Sequence, residues 1–244
     1  MGKKWKRFLL VGCSHGQLAD RRALDEVLKF KREFKPHFTA HLGDFTDTTA
    51  WRSGASDTAD EGSSVADDMA SGLQFLTQLE PQAVFIGNHE HRIWRHADSP
   101  SAIVREAARS TIANLHDVIT NELKARFIDH YSLDRSWMEL GGALIGHGWM
   151  FGLNAIRDHA EHCNRDVIIA HLHRLGMERA RAQGGATGYC VGYLGDPVKF
   201  NYADSNRSKA RWQQGFAWGE FTDSQIKVNL QSISCQTHQS FPRV

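Results

Sequence analysis

Short clusters of metal-ligand side chains recur along this 244-residue chain, most of them at the end of an apolar run that reads as a β-strand. They are Cys13-Ser14-His15, Gly43-Asp44-Phe45-Thr46-Asp47, Gly87-Asn88-His89-Glu90, Gly146-His147-Gly148 and Ala170-His171-Leu172-His173. This spacing is the strongest constraint on the fold. Strand ends are where an open α/β sheet places its ligands. Side chains that bind hard or borderline cations are therefore brought to one sheet edge. The pattern predicts an α/β protein whose chemistry is metal-dependent hydrolysis with two ions.

The segments between the clusters agree with that layout. Arg7 to Gly12 is a short apolar run ended by glycine and reads as a buried strand. Asp20 caps a helix through about Phe34, which Pro36 terminates, and His37 to Leu42 is the second strand. The three form a β-α-β unit with a right-handed crossover. Thr48 to Ser64 is rich in small and polar residues and reads as a long loop. Val65 to Leu79 is predicted as a helix stopped by Pro81, and Ala83 to Ile86 as a third strand. The helical region at about 99–127, starting near Ser99-Pro100, is expected to cap the site. Ala143 to Ile145 and Val167 to Ile169 are further strands, with a helix from Asn154 to Cys163 between them. Gly188 to Leu194, Gly215 to Thr222 and Ile226 to Ile233 read as antiparallel strands with a turn near Asp223-Ser224. No interior linker divides the chain, so a single domain spanning 1–244 is expected.

Bulk composition narrows the function classes. A formal net charge of +1 gives no support for a polyanion binder. The one basic cluster, Lys3, Lys4, Lys6 and Arg7, reads as a solvated tail. No apolar run approaches the ~20 residues of a membrane span, and the first residues lack the apolar core of a secretory signal. Cys13, Cys163, Cys190 and Cys235 are far apart with no paired spacing, which fits a reducing cytoplasm.

Each cluster has its own chemistry. Asp44, after a glycine that permits a tight turn, can bridge two ions through its two oxygens. Asn88 offers a neutral carbonyl oxygen, and His89 beside it points elsewhere, free to protonate a leaving oxygen. Asp47 reads either as the acid that orients His89 or as a loop residue. His171 and His173, at strand spacing i and i+2, are expected on one face with one imidazole per ion. His147 lies between glycines that allow close backbone approach. His41, His91, His96 and His116 show no partner pattern and are left as surface or supporting residues.

Taken in order, these motifs resemble the calcineurin-like metallophosphoesterase superfamily, whose pattern is D-x-H, G-D-x-x-D, G-N-H-[DE], a lone His, and G-H-x-H. The resemblance implies a four-layer α-β-β-α sandwich with a dinuclear centre at the sheet ends. It implies that Asp44 bridges the ions and that His15 and His173, with position 13, hold the first. Asn88, His147 and His171 would hold the second, and His89 would be the catalytic imidazole with Asp47 behind it. The cofactors implied are two divalent transition ions (Mn, Fe or Zn), and the reaction is attack of a metal-activated hydroxide on a phosphate ester. Two positions depart from the pattern. Ala170 replaces a glycine at little cost. Cys13 replaces the first Asp: as a thiolate ligand it would favour zinc or iron at the first site, and otherwise it is a small buried residue. The segments Gly188 to Leu194, Gly195-Asp196-Pro197 and Trp212 to Phe216 are similar to the C-terminal part of small phage and prophage phosphoesterases.

Two other functions remain open from sequence. A nuclease of the same fold could hold a nucleic-acid backbone along Arg92, Arg95, Arg105 and Arg109, although the net charge does not indicate it. A non-catalytic binding module with a degenerate first metal site has Cys13 as its only support.

Overall fold

The computed structural model describes residues 4–182, 184–203 and 207–233. Cys235 lies outside them. Two β-sheets stack face to face, with helices on both outer surfaces, as in the calcineurin-like sandwich. The first sheet has the order β11-β10-β1-β2-β3-β4. Its members are β1 (Lys6–Val11), β2 (Phe38–His41), β3 (Ala83–Phe85), β4 (Arg126–Ile128), β10 (Gly215–Phe221) and β11 (Ile226–Ser232). The second, β5-β6-β7-β9-β8, comprises β5 (Trp137–Leu140), β6 (Ala143–Gly146), β7 (Val167–Ile169), β8 (Leu175–Arg179) and β9 (Thr187–Val191).

Period-two alternation in β1 explains the layering. Phe8 and Leu10 face the second sheet and join Ile145, Ile168 and Val191 in the central core. Leu9 and Val11 face outward onto the helices α1 (Arg21–Phe34) and α2 (Val65–Leu79), through Ala23, Val27, Phe75 and Leu79. All four β1 side chains are fully buried. Truncating one of them to alanine removes about 2–5 kcal/mol of stability. On the far side, α5 (Ala155–Cys163) covers the second sheet through Ile156, against Ile169 and Cys190.

Helix ends follow local chemistry. The Asp20 carboxylate accepts from Arg22 N at 3.0 Å, and Ser64 Oγ accepts from Asp67 N at 3.1 Å. Lys35 and Glu80 close α1 and α2 in the left-handed conformation, just before Pro36 and Pro81.

One expectation changes and two segments gain detail. After Gly87 the chain passes directly into α3 (Asn88–His96). The 99–127 region is the crossover between the parallel strands β3 and β4. Its helix α4 (Ala102–His116) buries Ala108 and Leu115 against Leu76, Val84 and Ile93, and the metal-lined cleft takes its walls from other segments. In the C-terminal part, β10 and β11 form the expected antiparallel hairpin, but β9 runs parallel to β7 and antiparallel to β8.

Candidate metal centre

Parallel pairing of β1 with β2 and of β2 with β3 in the first sheet, and of β6 with β7 in the second, points the strand ends within each sheet the same way. The loops that follow are stitched together by backbone bonds. Cys13 N donates to Gly43 O at 2.9 Å, His15 N to Asp44 O at 2.9 Å, and Ala170 N to His147 O at 3.1 Å. Cys13, His15, Asp44, His171 and His173 all take the left-handed conformation, with φ between 53° and 60°. Each such residue costs on the order of 1–3 kcal/mol and persists only where its surroundings hold it. This corrects the expectation that His171 and His173 share a strand face. β7 ends at Ile169, and both residues belong to the loop beyond it.

Gly43 and Gly87 are required by crowding. A Cβ on Gly43, where φ is 93°, would stand 2.7 Å from His147 Nδ1, and one on Gly87 would stand 2.6 Å from His147 Cε1. Both glycines make the seat for that imidazole.

The donor atoms fall into two groups that share Asp44. In the first, ligand atoms of Cys13, His15, Asp44 and His173 lie within 4.8 Å of one another. His15 Nδ1 faces Asp47 Oδ1 at 3.0 Å. With that nitrogen donating, Nε2 keeps its lone pair, and it sits 3.0 Å from His173 Nε2. In the second, Asp44, His147 and His171 converge, and Asn88 Oδ1 lies 3.0 Å from His147 Nε2 and 2.8 Å from His171 Nδ1. His147 Nδ1 donates to Leu42 O at 2.7 Å, which leaves the Nε2 lone pair facing Asn88 Oδ1 and, at 3.2 Å, Asp44 Oδ2. Lone pairs aimed at one another repel unless a cation lies among them. The outward brace on His15 and on His147 is the arrangement that fixes a ligating tautomer.

Protonation favours the same role. Burial, then the neighbouring His147, pushes His171 down to about 3. Burial and His15 hold His173 well below the usual imidazole range. Neutral rings are what a cation needs. Burial would raise the Asp44 carboxyl, but His147 and His89 outweigh it and hold the group well below the ordinary range. The Cys13 thiol is pushed up by burial and by Asp44, and its sulfur accepts from His171 N at 3.3 Å.

Asp47 does more than sequence suggested. Its Oδ1 reaches His89 Nδ1 at 3.1 Å as well as His15 Nδ1, so one carboxylate orients two rings. Thr49 Oγ1 donates to its other oxygen. Burial works against the charged form of His89, yet Asp44 and Asp47 raise it to about 9.

Several supporting residues escaped the sequence reading. Glu90 is fully buried and accepts from Asp44 N, Thr46 N, Thr46 Oγ1 and Gly87 N at 2.8–2.9 Å, tying the second and third loops together. Asp68, on α2, accepts from Gln17 N, Asp47 N and Thr48 N and ties the first loop to the second. Arg92 Nη1 donates to Asp47 O at 2.8 Å. His41 is buried, with Nε2 3.0 Å from Ser14 Oγ. Glu90 was visible as the acid closing its motif, whereas Asp68 carried no signal. Arg105 and Arg109, once candidates for a nucleic-acid groove, donate to the carbonyls of Ser99 and Ala97.

Comparison with known proteins agrees with the geometry. The calcineurin-like phosphoesterase family matches over residues 6–175. A metallophosphoesterase from Sphaerobacter thermophilus superimposes with a TM-score of 0.51 at 16% identity, covering 96% of this chain and 90% of that one. A hypothetical protein from Pyrococcus horikoshii gives 0.48 at 10% identity, covering 93% and 88%, and a phosphoesterase from E. coli 0.38 at 13%, covering 87% of each. No curated protein matches in sequence. The first of these supports the fold, while the family match and the His/Asp/Cys cluster support hydrolase chemistry on phosphoester bonds. The chain belongs to the calcineurin-like phosphoesterases, with a Cys-His-Asp-His group where the family pattern begins with Asp.

Proposed function

We propose that the protein hydrolyses phosphoesters at a dinuclear centre in which Asp44 is shared. Cys13, His15 and His173 complete the first site; Asn88, His147 and His171 complete the second. The observation that carries this reading is the convergence of the His147 lone pair on two acceptor oxygens, 3.0 and 3.2 Å away. When bound, the ions lower the pKa of a water and neutralise charge on the phosphoryl group. The chain supplies the rest. His89, held through Nδ1 by Asp47, lines the cleft and donates a proton to the leaving oxygen. A thiolate at position 13 favours zinc or iron in the first site over manganese.

No helix of the described residues is long and apolar enough to cross a membrane. The free thiols of Cys13, Cys163 and Cys190 fit a reducing cytoplasm as the working compartment.

The test is metal analysis of the purified protein followed by turnover of 4-nitrophenyl phosphate and bis(4-nitrophenyl) phosphate. About two equivalents of transition metal and turnover of at least one ester are expected. His89→Ala should lower kcat by about 10²- to 10³-fold with metal content unchanged. Absence of turnover with any divalent ion, together with no effect of His89→Ala, would sink the enzymatic reading.

A further inference from the structure

The metal-ligand side chains form only the floor of a cleft of about 600 Å³. That volume lies within the ~300–1,000 Å³ typical of sites that enclose a whole organic ligand. The cleft therefore has room for the alcohol part of the ester, and its walls indicate what that part is.

Two aromatic side chains stand on the rims of the two ion groups. Phe151 is 76% exposed, its ring 4.6 Å from that of His171 in the second group. It sits beside Gly152 on the loop between β6 and α5, next to an exposed Leu153. Trp212 packs 4.5 Å from His173 in the first group and is braced from behind by Tyr193 at 5.4 Å and Phe200 at 5.3 Å. Leaving a phenylalanine ring in water forgoes about 1.5–3 kcal/mol of burial, and a ring on an active-site rim recovers it only with a ligand against it.

Charge in the cleft is one-sided. Apart from the shared Asp44, no carboxylate among the described residues lines it. Arg174 is committed to Leu153 O at 2.6 Å and to Glu178. Arg211 is exposed and makes no ion pair among the described residues. The wall is thus flat and aromatic with one available cation.

Resting on the phosphoesterase reading of the floor, we propose that the substrate is a nucleotide-type ester. Its phosphoryl group lies over the ion sites, its base stacks against the Phe151 and Trp212 walls, and Arg211 meets any further negative charge. Spacing separates this from a simple aryl phosphate. A phenol ring is one oxygen away from phosphorus and would lie on the floor against His89 and Asn88. The wall rings stand against His171 and His173, at 4.6 and 4.5 Å, rather than against His89 or Asn88, and a base carried on a sugar has the length to meet them. An acyl chain would find Leu153, Leu172 and the small Ala203 as its aliphatic contacts among the described residues.

The experiment is equilibrium binding, by calorimetry on zinc-loaded protein in the His89→Ala background so that turnover is suppressed, of adenosine 5′-monophosphate, ribose 5-phosphate and phenyl phosphate. The first two probes differ only in the base. One base–aromatic stack is worth about 5- to 150-fold in affinity, so the nucleotide should bind tighter than the sugar phosphate by at least the lower figure. Phe151→Ala, an exposed position that leaves the core intact, should reduce that ratio several-fold, and Phe151→Ala with Trp212→Ala should bring it near one. Metal content of each variant reports whether the centre has formed. Equal affinity for nucleotide and sugar phosphate, or tighter binding of phenyl phosphate than of the nucleotide, overturns the proposal while leaving the phosphoesterase reading in place. Failure of all three to bind, with no metal retained, overturns both.

Discussion

The two ion groups share a carboxylate but are built differently. The first is the more enclosed, with His173 alone of its own side chains reaching the cleft: His15 and Cys13 are fully buried, Phe200 lies edge-on 5.0 Å from His15, and Tyr193 stacks 5.1 Å from His173. The second opens onto the cleft, with Asn88 partly exposed, the exposed Phe151 beside His171 and Tyr131 6.0 Å from His147. Its oxygen donors are hard, whereas the first group holds the soft thiol. A dry aromatic shell strengthens ligand–cation attraction and restricts exchange. The first half is thereby suited to deciding which metal is retained, and the second to meeting substrate. On the proposed assignment, the half that carries the unusual thiol is not the half that must stay open.

The comparison can be broken most severely at the residue the halves share. Asp44→Ala should cost both ions and reduce hydrolysis on the order of 10³-fold. A variant that keeps either ion at full occupancy, read by metal analysis, would show that the halves are independent. Asp47→Asn is expected to act unequally. Asp47 braces His15 in the first group and the His89 imidazole, but no ligand of the second group. Affinity at the first site and kcat should each fall about 10- to 100-fold. A loss confined to the second ion would contradict the assignment. The mildest change is Cys13→Asp, which replaces a soft donor with a hard one. We expect a few-fold change in rate and a shift of the first site from zinc toward manganese, measured by metal competition. If Cys13→Asp and Cys13→Ala both leave metal content and rate unchanged, the thiol is packing and the first half holds its ion with three ligands.

Much of this was legible in the chain. The apolar run at Arg7 to Gly12, the cap at Asp20 and the stop at Pro81 are local signals, and the elements form where those signals place them. The ligand residues of the two groups were recognisable because donor chemistry is a property of the side chain itself. Other features had no local signature. Asp68 is one of two adjacent acids in α2, and only its position beneath the loops makes it a clamp. Phe151 and Trp212 read as ordinary aromatics until the fold set them against His171 and His173.

The sequence by itself determined which side chains could hold cations, the order in which strands deliver them, and the helix boundaries between. These depend on residue identity and on patterns a few residues long. The tertiary structure decided how the donors meet. It placed five ligand residues in left-handed loops rather than on strands, gave Asp47 two imidazoles to orient, and walled one half while opening the other. Those outcomes depend on sheet register and on contacts between segments as far apart as Cys13 and His171, which no short stretch of sequence encodes.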